Sequence, residues 1–314
     1  MRKATTLLVL LLGIIVGVAG LAQASGPRFG LVVMSTASEY WLAVKAGAED
    51  ALAEVNGTLI YTGPSTDADI QGQIDRIDDL INAEVDAILV TPLNPDALVA
   101  PVQRAIERGI PTIVIDSAIN WDGMTSFVAT DNVEGGRIAM EELAKLIGYK
   151  GKVVIINGLP GIPSNDARNI GAQEVAEKYP EITLLPIQYG EDKMAGMQNM
   201  ENILTAHPDL AGVFGGYDRG ALGAAQALIN RGLEGKVKFV AYDANPDEIA
   251  YLEQGIIDVL FVQQPYEQGR IAVALALKAM AGEEVPKVVH SPLTIVTRDN
   301  MNEPEVQKVL YPLQ

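Results

Sequence analysis

From Phe29 onward, short runs rich in Val, Ile, Leu and Thr alternate with longer amphipathic stretches. The apolar runs predict strands over 29–34, 58–62, 87–91, 112–116 and 126–129. A second series follows over 152–157, 182–188, 212–215, 238–243 and 259–263. Ile88-Leu89-Val90, Ile113-Val114-Ile115 and Val153-Val154-Ile155-Ile156 are continuously apolar, the pattern of strands covered on both faces. Between the strands the period changes. Residues 69–83 place Ile70, Ile74, Ile77, Leu80 and Ile81 on one helical stripe, with acids opposite. Pro95-Asp96 ahead of 97–108, and Gly109-Ile110-Pro111 behind it, read as helix start and stop signals.

Regular β–α alternation implies right-handed crossovers and a parallel sheet. Two successive series of βα units predict an α/β fold of two doubly wound lobes. No low-complexity linker separates them. Short polar segments at 126–131, 263–265 and 291–293 are placed to carry the chain between lobes. That gives a first lobe of 25–128 and 264–291 and a second of 129–263 and 292–314. Several crossings side by side make a hinge that bends while holding the lobes together.

Composition sharpens this picture. Hydrophobic residues make up 48% of the chain and aromatics only 5%, so the apolar bulk is aliphatic. A net charge of -17 argues against nucleic acid, whose phosphates need Lys and Arg, and against anionic membrane surfaces. The amino end carries Arg2 and Lys3, an apolar run from Leu7 to Leu21, and Ala22-Gln23-Ala24. A basic start, a short apolar core and a small-x-small site predict a secretory signal peptide over 1–24, cleaved after Ala24. The chain has no cysteine. It therefore uses no disulfide and offers no lipid acceptor at the cleavage site, and the mature protein is expected to be a soluble periplasmic monomer.

Ligands in open α/β sheets sit beyond the carboxyl ends of the strands, so the residues following each strand are the candidates. After the first strand come Ser38, Tyr40 and Trp41; adjacent aromatics suit stacking on a sugar ring, or equally helix–sheet packing. Asp116 and Ser117 follow the fourth strand; a strand-end carboxylate can accept two neighbouring hydroxyls. Arg168 offers a fork of donors to vicinal hydroxyls or a nearby carboxylate. Tyr217, Asp243 and Gln263 end strands of the second series, while Asp218 reads as a helix cap. Enzyme and cofactor signatures are missing. Only His207 and His290 are present, so no metal cluster is expected. No nucleophile elbow appears, and the glycine-bearing turn Asn157-Gly158-Leu159-Pro160-Gly161 matches no phosphate-cradling motif.

Together these residues resemble the periplasmic ribose-binding protein family, the type I sugar-binding proteins of ATP-binding-cassette importers. The likeness is carried by 32–41 with Lys45-Ala46-Gly47-Ala48, by Ala129-Thr130-Asp131-Asn132-Val133-Glu134-Gly135-Gly136, by Leu204-Thr205-Ala206-His207-Pro208-Asp209, and by Ala221-Leu222-Gly223-Ala224. The resemblance implies the type I periplasmic-binding-protein fold and a sugar site at Asp116, Arg168, Asp243 and Gln263. Tyr40-Trp41 stands where ribose binders usually carry two Phe. Met34 replaces a small hydroxyl residue, Ser38 and Thr91 replace amides, Ser117 replaces an Arg, Tyr217 replaces an Asn, and Glu191 lies where an aromatic is usual. The expectation is an exported protein that captures a small sugar or polyol by lobe closure and passes it to an importer permease, without catalysis, cofactor or metal. The ligand should not be ribose itself. An exported module presenting ligand to a membrane receptor is the alternative. A sugar-responsive repressor would need a DNA-binding helix-turn-helix at the amino end, where a signal peptide stands instead.

Overall fold

The computed structural model describes residues 26–36, 38–66, 68–190 and 192–314. The expected signal peptide over 1–24 and the candidate Glu191 lie outside the described residues. The chain opens with β1 (Arg28–Val32), α1 (Glu39–Ala53), β2 (Thr58–Thr62), α2 (Ile70–Asn82), β3 (Ala87–Val90), α3 (Val99–Glu107), β4 (Thr112–Ile115) and β5 (Ser126–Thr130). It continues through α4 (Asn132–Leu146), β6 (Gly151–Asn157), α5 (Pro163–Ala176), β7 (Ile182–Leu184), β8 (Gln188–Tyr189), α6 (Lys193–Ala206), β9 (Leu210–Gly215), α7 (Asp218–Arg231), β10 (Lys238–Tyr242), α8 (Pro246–Gln254) and β11 (Val259–Gln263). It closes with α9 (Pro265–Met280), β12 (Val288–Ser291), β13 (Leu293–Val296) and α10 (Pro304–Leu310).

Two sheets result. The first has the order β12-β5-β4-β3-β1-β2; the second has the order β13-β11-β10-β9-β6-β7, with β8 paired to β6. Successive strand residues point to opposite faces, and each face has its own core. In the first sheet Phe29, Leu31 and Val33 pack under α1 and α9, while Val32 packs with Ile77 and Leu80 of α2 and Val102 of α3. In the second, Val153, Ile155 and Phe214 meet α4 and α5; Val154, Ile156 and Val213 meet α6, α7, α8 and α10. This two-faced burial is why β3, β4 and β6 read as unbroken aliphatic runs.

The chain passes between sheets three times, and each passage is one residue long: Asp131 between β5 and α4, Gln264 between β11 and α9, Pro292 between β12 and β13. β5 runs to Thr130, pairing Ala129 with His290 and Thr130 with Ser291, so the first sheet extends two residues past position 128.

Several details differ from the sequence expectation. The run 182–188 is two short strands, because the backbone leaves the ladder around Pro186, which has no N–H to donate. α3 begins at Val99 and not at 97, since Asn94 Oδ1 accepts the N–H groups of Asp96 (3.0 Å) and Ala97 (2.8 Å) and holds a turn there. β12 and β13 were not expected, and β13 runs antiparallel to β11 at the sheet edge. Asp218 is the first residue of α7; Tyr217 occupies the cap position.

Candidate functional site

Asp116 and Asp243 occupy equivalent places in the two sheets. Each follows a central strand, β4 or β10, and each has a left-handed backbone, φ 67 for Asp116 and φ 74 for Asp243. The N–H of Asp116 still reaches Val128 O of β5 (2.8 Å), and that of Asp243 reaches Phe261 O of β11 (3.0 Å). The chain thus turns sharply without losing its last ladder bond. Asp is among the few residues other than Gly that tolerate this region, and the turn throws both carboxylates toward the space between the sheets.

Arg168 lies between them. It is only 3% exposed and is the one buried cation among the described residues. Its Nε donates to Asn132 Oδ1 (2.8 Å) and its Nη1 to Gly216 O (2.9 Å). The guanidinium sits 4.0 Å over the Tyr242 ring. These contacts fix the side chain and leave Nη2 without a bond to the described residues. Close helix packing sets its height: a Cβ on Gly136 of α4 would lie 2.1 Å from Arg168 O, and one on Gly171 of α5 would lie 1.9 Å from Val133 O. Only glycines at both positions let α4 and α5 approach so closely.

Burial raises the Asp116 carboxyl above its ordinary range, while Arg168 and the hydroxyls of Tyr40 and Ser117 pull it back. Burial likewise raises Asp243, with Arg168 and Gln263 opposing and Asp116 adding repulsion. Behind them, Glu248 is fully buried and pushed well above its usual range, first by burial and then by Asp218 and Asp243.

Around Asp116 the first sheet builds a hydroxyl cluster. Tyr40 Oη donates to Asp116 Oδ1 (3.1 Å), with Gln268 Oε1 3.4 Å away. Ser117 Oγ donates to Asp116 Oδ2 (3.3 Å) and lies 3.4 Å from Ser164 Oγ of α5, so the two lobes touch here and the cleft is closed. Around Asp243 the second sheet gives less. Gln263, 4% exposed, donates from Nε2 to Asp243 Oδ1 (2.9 Å), and its buried Oε1 accepts nothing.

The remaining candidates divide. Trp41 is 7% exposed and packs in the first-lobe core with Val33 and Val44; the Tyr40 ring meets it edge-on at 4.8 Å. Met34 and Tyr40 lie partly buried against the same core. Thr91 is fully buried; its Oγ1 accepts Met34 N–H at 2.9 Å, so it positions Met34. Ser38 stands at the cap position of α1 without a side-chain capping bond, and Tyr217 holds that position on α7, half-buried beside Gly158.

Sequence reasoning missed the supporting amides. Buried Gln73 donates from Nε2 to Val33 O (3.1 Å) and Thr91 O (2.8 Å) and accepts Leu93 N–H (2.9 Å), tying together the loops after β1 and β3. Buried Gln268 links Tyr40 to Ser291, donating from Nε2 at 3.1 Å. Asn157 ties the end of β6 to α5, donating to Asn169 Oδ1 (2.7 Å) and Asn165 O (3.1 Å). A long polar residue inside an apolar helical stripe, as Gln73 is, was the available signal. Among the described residues no group of three or more His, Cys, Asp or Glu is placed to hold a metal ion.

Comparison with known proteins points one way. Residues 29–284 match the periplasmic binding protein domain family. The chain is 29% identical over 270 residues to the ribose import binding protein of Bacillus subtilis, covering 86% of this chain and 87% of that one. It is 30% identical over 287 residues to the D-allose-binding periplasmic protein of Escherichia coli, covering 88% and 91%. An ABC transporter solute-binding protein from Agrobacterium vitis, solved with α-D-tagatopyranose, superposes with a TM-score of 0.85 at 32% identity, covering 90% of this chain and 99% of that one. With the two-sheet fold, the single-residue crossings and the facing strand-end carboxylates, these matches place the chain: it belongs to the periplasmic binding protein family.

Proposed function

We propose that this protein captures a monosaccharide-sized sugar or polyol in the interlobe cleft and delivers it unchanged to the permease of an ATP-binding-cassette importer. The observation that carries the reading is the pair of strand-end carboxylates, Asp116 and Asp243, turned inward on left-handed backbone around one buried guanidinium. Carboxylates and guanidinium accept and donate charge-assisted hydrogen bonds to vicinal hydroxyls. Relatives named for ribose and D-allose binding support it, and the family is one of binding proteins and not of catalysts. Met34, Ser38, Tyr40, Ser117, Glu191 and Tyr217 complete the proposed lining, with Thr91 behind Met34 and Trp41 packed behind Tyr40.

Capture works by closure. The first lobe brings Asp116 and Tyr40, the second Arg168 and Asp243, and only the closed form touches a solute from both sides. A solute that binds the closed form more tightly shifts the population toward it. The mature chain is exported, begins at Ser25, carries no lipid and works as a monomer. Calorimetry against a panel of pentoses, hexoses, polyols and disaccharides tests the reading, with mass spectrometry of solute carried through purification. A single tightly bound monosaccharide or polyol is the expected result. A disaccharide that outcompetes every smaller compound, or turnover of the bound solute, would overturn it.

A further inference from the structure

The closed cleft is short of positive charge and rich in acceptors. Asp116 and Asp243 face it, and Arg168 is the one buried cation among the described residues. The two carboxylates are not equally provided for. Asp116 receives hydroxyl donors on both oxygens, from Tyr40 and Ser117. Asp243 receives a side-chain donor on Oδ1 alone, from Gln263, whose own Oε1 is buried without a donor. Gln263 Oε1 is thus a buried acceptor with no donor, and the neighbouring Asp243 takes no side-chain donor on Oδ2 among the described residues. Asp218 stands near Asp243, and the two carboxyls repel. A neutral hydroxyl brings one proton to such a corner. An ammonium brings three and a compensating charge.

We propose that the solute carries a protonated amine, as an amino sugar or aminopolyol, with its ammonium seated on Asp243 and Gln263 and its hydroxyls on Arg168 and Asp116. The inference rests on the sugar-or-polyol reading and narrows it. Its support lies in the count of groups: two carboxylates, one guanidinium and one orphaned amide oxygen in one enclosed space. Burial holds both carboxyls above their ordinary range even with Arg168 beside them. A neutral solute would leave the Gln263 oxygen dependent on a single hydroxyl and would bring no charge to Asp243.

The test uses matched pairs on the full mature chain: D-glucosamine against D-glucose, D-galactosamine against D-galactose, 1-amino-1-deoxy-D-glucitol against D-glucitol, and scyllo-inosamine against scyllo-inositol. Titration calorimetry at neutral pH reads the ratio within each pair. At least one amine should bind about tenfold or more tightly than its hydroxyl partner, the difference between a charge-assisted and a neutral hydrogen bond. Asp243→Asn keeps the shape and the left-handed backbone, and should bring that ratio to about one while the neutral partner loses less. A neutral member that equals or exceeds its amine in every pair overturns the inference and leaves the sugar-or-polyol reading standing. So does an amine preference that Asp243→Asn leaves intact. If no sugar or polyol of either series binds, both fall.

Discussion

Replacing Arg168 with Met keeps most of the side-chain volume and removes the charge that holds the cleft together. Two charge-assisted donations, to Asn132 Oδ1 and Gly216 O, disappear with it, as does the contact over Tyr242. Asp116 and Asp243 are left facing each other in an enclosed space. Removing one partner of a buried ionic group typically costs about 3–5 kcal/mol. Opening of the cleft lets water reach the carboxylates, so the lower end, about 3 kcal/mol, is expected. At about 2–4 °C per kcal/mol for a chain of this size class, the melting temperature at pH 7 should fall by roughly 6–12 °C. The deficit should also depend on pH. Both carboxyls are raised on folding, by burial first, and Arg168 is the group that lowers them most. Without it they rise further. A carboxyl raised on folding holds its proton more tightly in the folded state. Its favourable contribution is complete below the unfolded value, near 3.8, and is lost as pH rises through the folded one. The variant should therefore melt closest to the wild type under acid conditions and diverge toward neutrality. Differential scanning calorimetry across that range reads this directly. A deficit that is constant with pH would mean that Arg168 acts by packing alone, and no deficit at pH 7 would refute the charge argument altogether.

Other expectations follow from single features. Asp243→Ala should unfold in denaturant about 1–2 kcal/mol more easily than Asp243→Asn, because only Asn tolerates φ 74 at little strain; equal midpoints would contradict this. Trp41→Ala should destabilise the first lobe by about 3–5 kcal/mol, since the indole is core, and a loss of affinity without loss of stability would return Trp41 to the ligand surface. Gly136→Ala sets a methyl 2.1 Å from Arg168 O and should cost about 1–3 kcal/mol while weakening solute binding through a displaced Arg168, both measurable by melting and calorimetry. Amino-terminal sequencing of the exported protein should begin at Ser25; an intact Met1 would refute processing.

The fold was legible because strands buried on both faces write themselves as aliphatic runs, and Asp116 and Asp243 were legible because a charged residue closing such a run has little structural reason to be there. What escaped lies in the long-range bonds. Tyr40 reaches Asp116 across 76 positions and Gln268 across 228, and nothing local in the sequence announces either partner. Trp41 was open between stacking and core because both uses put an aromatic at the start of the same helix; burial in the first-lobe cluster favours the core. β12 and β13 were missed because Val288–Ser291 and Leu293–Val296 lie at sheet edges, where exposure dilutes the apolar pattern.

The left-handed backbone at Asp116 and Asp243 limits how such a binder can diversify. At positions around the cleft with ordinary negative φ, most residues other than proline are conformationally open to mutation. At these two, Asn, Asp and Gly carry the least strain. New specificities must therefore be written on ordinary backbone nearby, at Met34, Ser38, Ser117 or Tyr217, while the two carboxylate stations stay fixed. A library aimed at retargeting this protein gains most by randomising those four and leaving Asp116 and Asp243 out of the search.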